Sequence, residues 1–286
     1  MRALLMAVLL CSALMGSTGA LAQPMPARDT ADVGPRGSWS VGVFNPLRIA
    51  FHDSVELQTH PLLFFVAPHV DARFALLRSP LRLTAEAGLS MPTLAMRLVK
   101  GYLFPSWDTS QNDIGWMLIP RAGLLLSGNV LEHDVWTLRA EAAFRVPLGP
   151  NSATPLNSFL TPLDLVLAAP LTGFRSRVGG AYDHAFNDRL RLRGELNLYV
   201  TGSQGHLIAS GQDEGPIASV SPLVLTAHVG VDIALFQHSR LTAGVLWANA
   251  DQGATRVLEG ADGFSERVRV RSNDFLPTLD FIWQGF

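Results

Sequence analysis

The chain has 286 residues, a formal net charge of −2 and no excess of basic residues, which leaves no case for nucleic acid as a partner. Its single cysteine, Cys11, excludes a disulfide framework, and a positive mean hydropathy with 16% charged residues is unusual for a secreted soluble protein. After residue 22 no apolar run reaches the roughly 20 residues of a membrane-spanning helix, so a helical membrane protein is excluded.

From the N-terminus, Arg2, the apolar run Ala3 to Met15 and the small residues of Ala20-Leu21-Ala22 read as a secretory signal peptide over 1–22, cleaved after Ala22. Cys11 lies within it, and Val8-Leu9-Leu10 lacks the small residue that precedes a lipidated cysteine. Residues 23–37 read as an N-terminal segment and 38–286 as one β domain, with no linker or repeat dividing it.

Strands are marked by alternation. Trp39 to Phe51 alternates apolar residues around Asn45-Pro46, and Val55 to Ala67 and Val70 to Leu77 follow as strand candidates. Leu81, Leu83, Ala85, Ala87, Leu89 and Met91 oppose Arg82, Thr84, Glu86 and Ser90. Ile114 to Ser127 is another candidate, and from Asp134 to Leu148 the face of Trp136, Leu138, Ala140 and Phe144 opposes Thr137, Arg139, Glu141 and Arg145. Phe174 to Tyr182 precedes the clearest segment, Arg189 to Thr201, where Leu190, Leu192, Leu196 and Leu198 alternate with Arg189, Arg191, Arg193 and Glu195. Leu223 to Leu235 sets apolar odd positions against Thr226, His228 and Asp232, and Arg240 to Ala250 and Asp274 to Gly285 complete the set. Arg267 to Arg271 either extends a strand or makes another, so the count is roughly 10 to 12, with 12 preferred because bacterial barrels are even-numbered.

The connections alternate in size over the second half. Short ones fall at His52-Asp53, Arg78 to Pro80, Ala185 to Asp188 and Gln237 to Ser239; long ones at 92–113, 149–170, 202–222 and 251–273. Thr93 to Leu103 and Ser158 to Ala169 have helical spacing and predict a short loop helix each. If the last strand ends on the short-turn side, counting back starts the Trp39 strand on the wrong side. Either a strand is missing from the set or residues 23–37 thread the barrel.

A soluble sandwich also alternates, but five of the six tryptophans, Trp39, Trp116, Trp136, Trp247 and Trp283, lie near strand ends in the apolar phase, where barrels place their interfacial girdles. The fold class is therefore all-β, a closed antiparallel transmembrane β-barrel with leucines toward lipid and arginines toward the lumen.

The segment Thr278-Leu279-Asp280-Phe281-Ile282-Trp283-Gln284-Gly285-Phe286 resembles the terminal strand of bacterial outer-membrane β-barrel proteins, and Pro46 to Leu57 is similar to their periplasmic turns. Phe286 is out of phase with Leu279, Phe281 and Trp283, and Gly285 is the candidate bulge that restores it. The resemblance implies residence in the outer membrane of a Gram-negative bacterium, contact with outer-membrane lipid, and recognition of the strand ending in Phe286 by the barrel-assembly machinery.

The residues assigned to the lumen are Arg82, Glu86, Arg139, Glu141, Arg145, Arg175, Arg177, Arg189, Arg191, Arg193, Glu195, His228 and Asp232. Unpaired, the arginines would line an anion-attracting pore; paired with Glu141, Glu195, Asp183 and Asp232, they would form a lattice closing a narrow barrel. His69-Val70-Asp71 puts two metal-ligand types on one face but is a weak signal, and His228 and Asp232 lie too far apart for direct contact. There is no Gly-x-Ser-x-Gly, no His-Glu-x-x-His and no phosphate loop. The sequence thus reads as a non-enzymatic barrel without metal or cofactor. It is a small-solute pore or transporter of unknown solute, with a closed structural or adhesive barrel as the alternative and a lipid-modifying enzyme third.

Overall fold

The computed structural model describes residues 25–65, 67–99, 114–131, 133–150, 161–202, 206–209, 212–216, 223–259 and 265–285. The stretch 1–22 read as a signal peptide, parts of the long connections and Phe286 lie outside these residues.

Twelve antiparallel strands form the wall: β1 (Trp39–Gly42), β2 (Leu47–His52), β3 (Val55–Thr59), β4 (His69–Leu77), β5 (Arg82–Ser90), β6 (Met117–Asn129), β7 (Asp134–Phe144), β8 (Phe174–Asn187), β9 (Leu190–Thr201), β10 (Leu223–Phe236), β11 (Ser239–Glu259) and β12 (Ser265–Gly285). Each pairs with the next in sequence, and β1 pairs with β12, so the sheet closes on itself. Closure at the base of the wall pairs the sheet's first and last strands there, where hydrocarbon cannot solvate an open edge. Val146–Pro147 adds a short bridge to β6, and His206–Ala209 pairs with Gln212–Pro216 in a separate hairpin.

Trp39 to Phe51 is two strands, not one. Val43 to Pro46 turns the chain back, because Pro46 lacks an N–H and the Asp280 carboxylate accepts the backbone N–H groups of Val43 (2.8 Å), Phe44 (3.1 Å) and Asn45 (2.9 Å) that a continuing strand would give to a neighbour. This supplies the missing strand and brings the N-terminus of β1 to the short-turn end. Arg267 to Arg271 belongs to β12. Val55 to Ala67 ends early as a strand: His60 caps helix α1 (Pro61–Phe64), accepting from the Leu63 N–H, with Pro61 at the first helical position. The predicted loop helices are α2 (Thr93–Val99) and α3 (Thr161–Thr172). No bulge forms at Gly285, which pairs regularly with Trp39.

The two faces are inverted relative to a soluble protein. Outward leucines and valines are exposed, Leu196 at 54%, Val229 at 60% and Leu279 at 61%, while inward Arg193 is 3% and Asp183 0% exposed. Trp39, Trp136 and Trp283 ring the short-turn end, and Trp116 and Trp247 stand toward the other. Among the described residues no helix is long and apolar enough to cross a membrane.

Candidate functional site: a plugged lumen

Residues 25–36 form neither helix nor strand, and they cross the lumen at the short-turn end. The wall holds them mainly by backbone carbonyls. Arg191 donates to Met25 O (2.9 Å), Arg240 to Pro26 O (2.9 Å), Arg193 to Arg28 O (2.7 Å), Arg139 to Asp29 O (3.3 Å) and Thr84 to Ala31 O (2.5 Å), and the Ala31 N–H donates to Ser127 (2.8 Å). Arg73 donates to the Thr30 and Asp32 carbonyls. Ion pairs complete the attachment: Arg28 with Asp232 (2.8 Å), Asp29 with Arg48, and Asp32 with Arg82 (3.1 Å).

Asp29 adopts a left-handed backbone (φ 53°), a bend that a short polar side chain tolerates. Burial by itself would raise its carboxyl, but Arg48, Arg193, Arg139 and Arg28 around it hold it well below the usual carboxylate range. At this level the free space between Asp29, Arg139, Arg177, Arg193 and Glu195 is about 10 Å3, room for one water.

Above the plug the charges pair across strands. Arg193 bridges Asp183 (2.8 Å) and Glu195 (3.0 Å), and Arg177 bridges Glu195 (2.5 Å) and Asn197 (2.8 Å). Arg73 sits between Glu56 (2.9 Å) and Glu86 (3.2 Å), and Glu141 meets Arg175 (2.9 Å) and Arg121 (3.8 Å). Removing one partner of such a buried pair strands the other, at about 3–5 kcal/mol. Arg73, Arg121, Arg175, Arg177 and Arg193 thus join a lattice with carboxylates, whereas Arg139, Arg145 and Arg191 are held by backbone carbonyls.

At the long-loop end α3 enters the barrel. Leu165 packs against Val224 and Tyr199, and arginines hold its carbonyls: Arg175 donates to Leu165 O (3.0 Å), and Arg145 to Pro170 O (2.9 Å) and Leu171 O (3.3 Å). Between α3, α1 and β4 to β8 lies a cavity of about 270 Å3, with Leu63, Ala67, Ile119, Ala143, Ala169 and Pro170 on its apolar side. Its polar side carries His69, Arg175 and the Asp71–Arg121 pair (2.7 Å).

Arg189, assigned to the lumen from sequence, sits in the β8–β9 turn, where its carbonyl accepts the Ala234 N–H (2.8 Å). His228 contacts Thr278 (3.0 Å) and not Asp232. His69 and Asp71 go to separate partners: the His69 ring accepts the His60 N–H (2.9 Å), and Asp71 takes Arg121.

Sequence reasoning passed over Arg28, Asp29, Asp32, Glu56, Arg73, Arg121, Arg240 and Asp280, and weighed Asp71 only as a metal ligand beside His69. For those on strands the signal was present, since Arg73 and Asp71 share a phase opposite Val70 and Phe74. The three plug residues carry no periodicity to read.

No family model and no curated protein matches the sequence. Among solved structures the chain is similar to outer-membrane expressed OmpT of Vibrio cholerae, at 10% identity and a TM-score of 0.41 over 84% of this chain and 64% of that one. It is also similar to the in-vitro folded form of that protein, at 9% identity and a TM-score of 0.40 over 86% and 64%. The chain thus spans 64% of the length of those solved chains.

The fold is a closed antiparallel β-barrel of twelve strands with an apolar outer face. The sequence-based exclusion of an enzyme is corrected. It rested on missing motifs alone, and a closed barrel does not by its fold decide between catalysis and transport.

Proposed function

We propose that this protein is a small-solute transporter of the outer membrane, held shut by residues 25–36, with the short-turn end in the periplasm. The reading rests on one observation above all: the plug is attached through side chains to peptide carbonyls and charges, without pairing into the sheet. Water can replace each of those contacts when the segment leaves, so the wall need not unfold to open. The cavity above the plug would hold a solute in transit.

Planar-bilayer conductance of the chain with and without residues 25–36 tests this. Single-channel steps should be absent or rare with the segment and frequent without it. A shortened barrel that folds, shown by its heat-modifiable gel mobility, yet never conducts would leave the closed structural barrel, which the paired arginines also favour.

A further inference from the structure

The wall is not of even height. β1 spans Trp39–Gly42 and β3 Val55–Thr59, whereas β12 runs from Ser265 to Gly285. β1 covers β12 only from Ile282 to Gly285. From Phe281 back to Phe275, β12 is paired along one side, to β11, and among the described residues no strand takes the other side. Outward residues along this stretch, Phe275 and Leu279, are exposed and apolar, so the free edge crosses the band that faces hydrocarbon.

Pro277 lies in the same stretch, and prolines within sheets are confined to places where a ladder is open. Pro120 of β6 obeys the same rule, since pairing with β7 begins only at Arg121. The low rim beside this edge is strongly apolar: Phe44 in the β1–β2 turn is 75% exposed, and Phe65, just after α1, is 82% exposed. α1 stands between two environments. Leu63 lines the 270 Å3 cavity and is itself half exposed, as Leu62 and Phe64 are on the same short helix.

We infer that the low rim between the free edge of β12 and α1 is a lateral port, through which small, mainly apolar molecules pass between the bilayer and the cavity. An open sheet edge in hydrocarbon is costly, so it persists where it lines a passage. The cavity sets the size. An apolar cavity of about 150 Å3 takes a benzene ring, so 270 Å3 suits roughly two fused rings, with one anionic group admitted where it shares Arg121 and Arg175 with their partners Asp71 and Glu141. This names a substrate class for the transporter reading and rests on it, but the port itself is tested separately.

The mature chain lacks cysteine, so single cysteines can carry a bimane label. In liposomes with doxyl-labelled lipid, bimane on Leu276→Cys, inward-facing at the free edge, should be quenched nearly as strongly as on outward Leu279→Cys. Bimane on Thr137→Cys, inward behind a complete wall, should not be. An unquenched label at 276 overturns the port even if the barrel lacking 25–36 conducts. A quenched one sustains it even if that barrel does not.

For the ligand class, 2-naphthoate should bind the solubilised barrel saturably, and Ala143→Phe, which fills the cavity, should weaken binding by about tenfold or more. No saturable binding to the parent, or equal binding to both, overturns the assignment.

Discussion

Asp280 closes the seam where the first strand meets the last. Its carboxylate accepts backbone N–H groups of Val43, Phe44, Asn45 and Phe281 at 2.8 to 3.1 Å, and the Asn45 side chain as well. Asp280→Ala removes every one of these acceptors while leaving the pairing of Trp39–Gly42 with Ile282–Gly285 to stand alone. Each hydrogen bond to a charged acceptor is worth about 1.5–3 kcal/mol net, and the set shares one carboxylate, so the values do not add. About 3–5 kcal/mol of barrel stability should be lost, and Asp280→Asn, which keeps one acceptor oxygen, should lose roughly half of that.

Gly42→Ala provides an independent route to the same damage: a Cβ there would lie 2.5 Å from Asp280 Oδ2 and 2.9 Å from Asn45 Cβ, pushing the carboxylate off the turn. Urea unfolding in lipid vesicles, followed by tryptophan fluorescence, reads the loss, since Trp39 and Trp283 flank the seam. If Asp280→Ala unfolds within about 0.5 kcal/mol of the parent, the carboxylate does not close the wall and the account of the split first strand fails.

Asp29→Asn should loosen the plug and raise the frequency of conductance steps, while lowering the pH from 7 to about 5 should not. A depressed carboxyl stabilises the fold above its unfolded value of about 3.9 and loses that contribution only as pH falls through the lower folded value. Opening of the parent at pH 5 would refute this. Arg193→Met leaves buried Asp183 without its cation and Glu195 with Arg177 alone, and should cost about 3–5 kcal/mol in the same unfolding assay, with an unchanged midpoint arguing that water already screens the pair. Leu196→Arg puts a charge on the lipid face and should cost about 2–4 kcal/mol; parent-like folding would mean that the faces are reversed.

Alternation is a local property, because successive side chains of a strand must take opposite faces. That is why the leucine and arginine faces of β9, the tryptophan girdles and a count near 12 could be read from residues alone. Which arginine meets which carboxylate depends on register between strands, and no single strand carries that information. Arg73 finds Glu56 and Glu86 on its two neighbours only once β3, β4 and β5 are aligned.

The break after Gly42 needed Asp280, 235 to 237 positions away, to accept the turn's N–H groups. The plug has no period and no motif: Arg28, Asp29 and Asp32 acquire their roles from a ring of strands that closes around them. Sequence thus determined the two solvents on either side of the wall, since that choice is made residue by residue. Only the closed sheet decided that residues 25–36 lie across the lumen and that one side of its rim is low, because both follow from where distant strands begin and end.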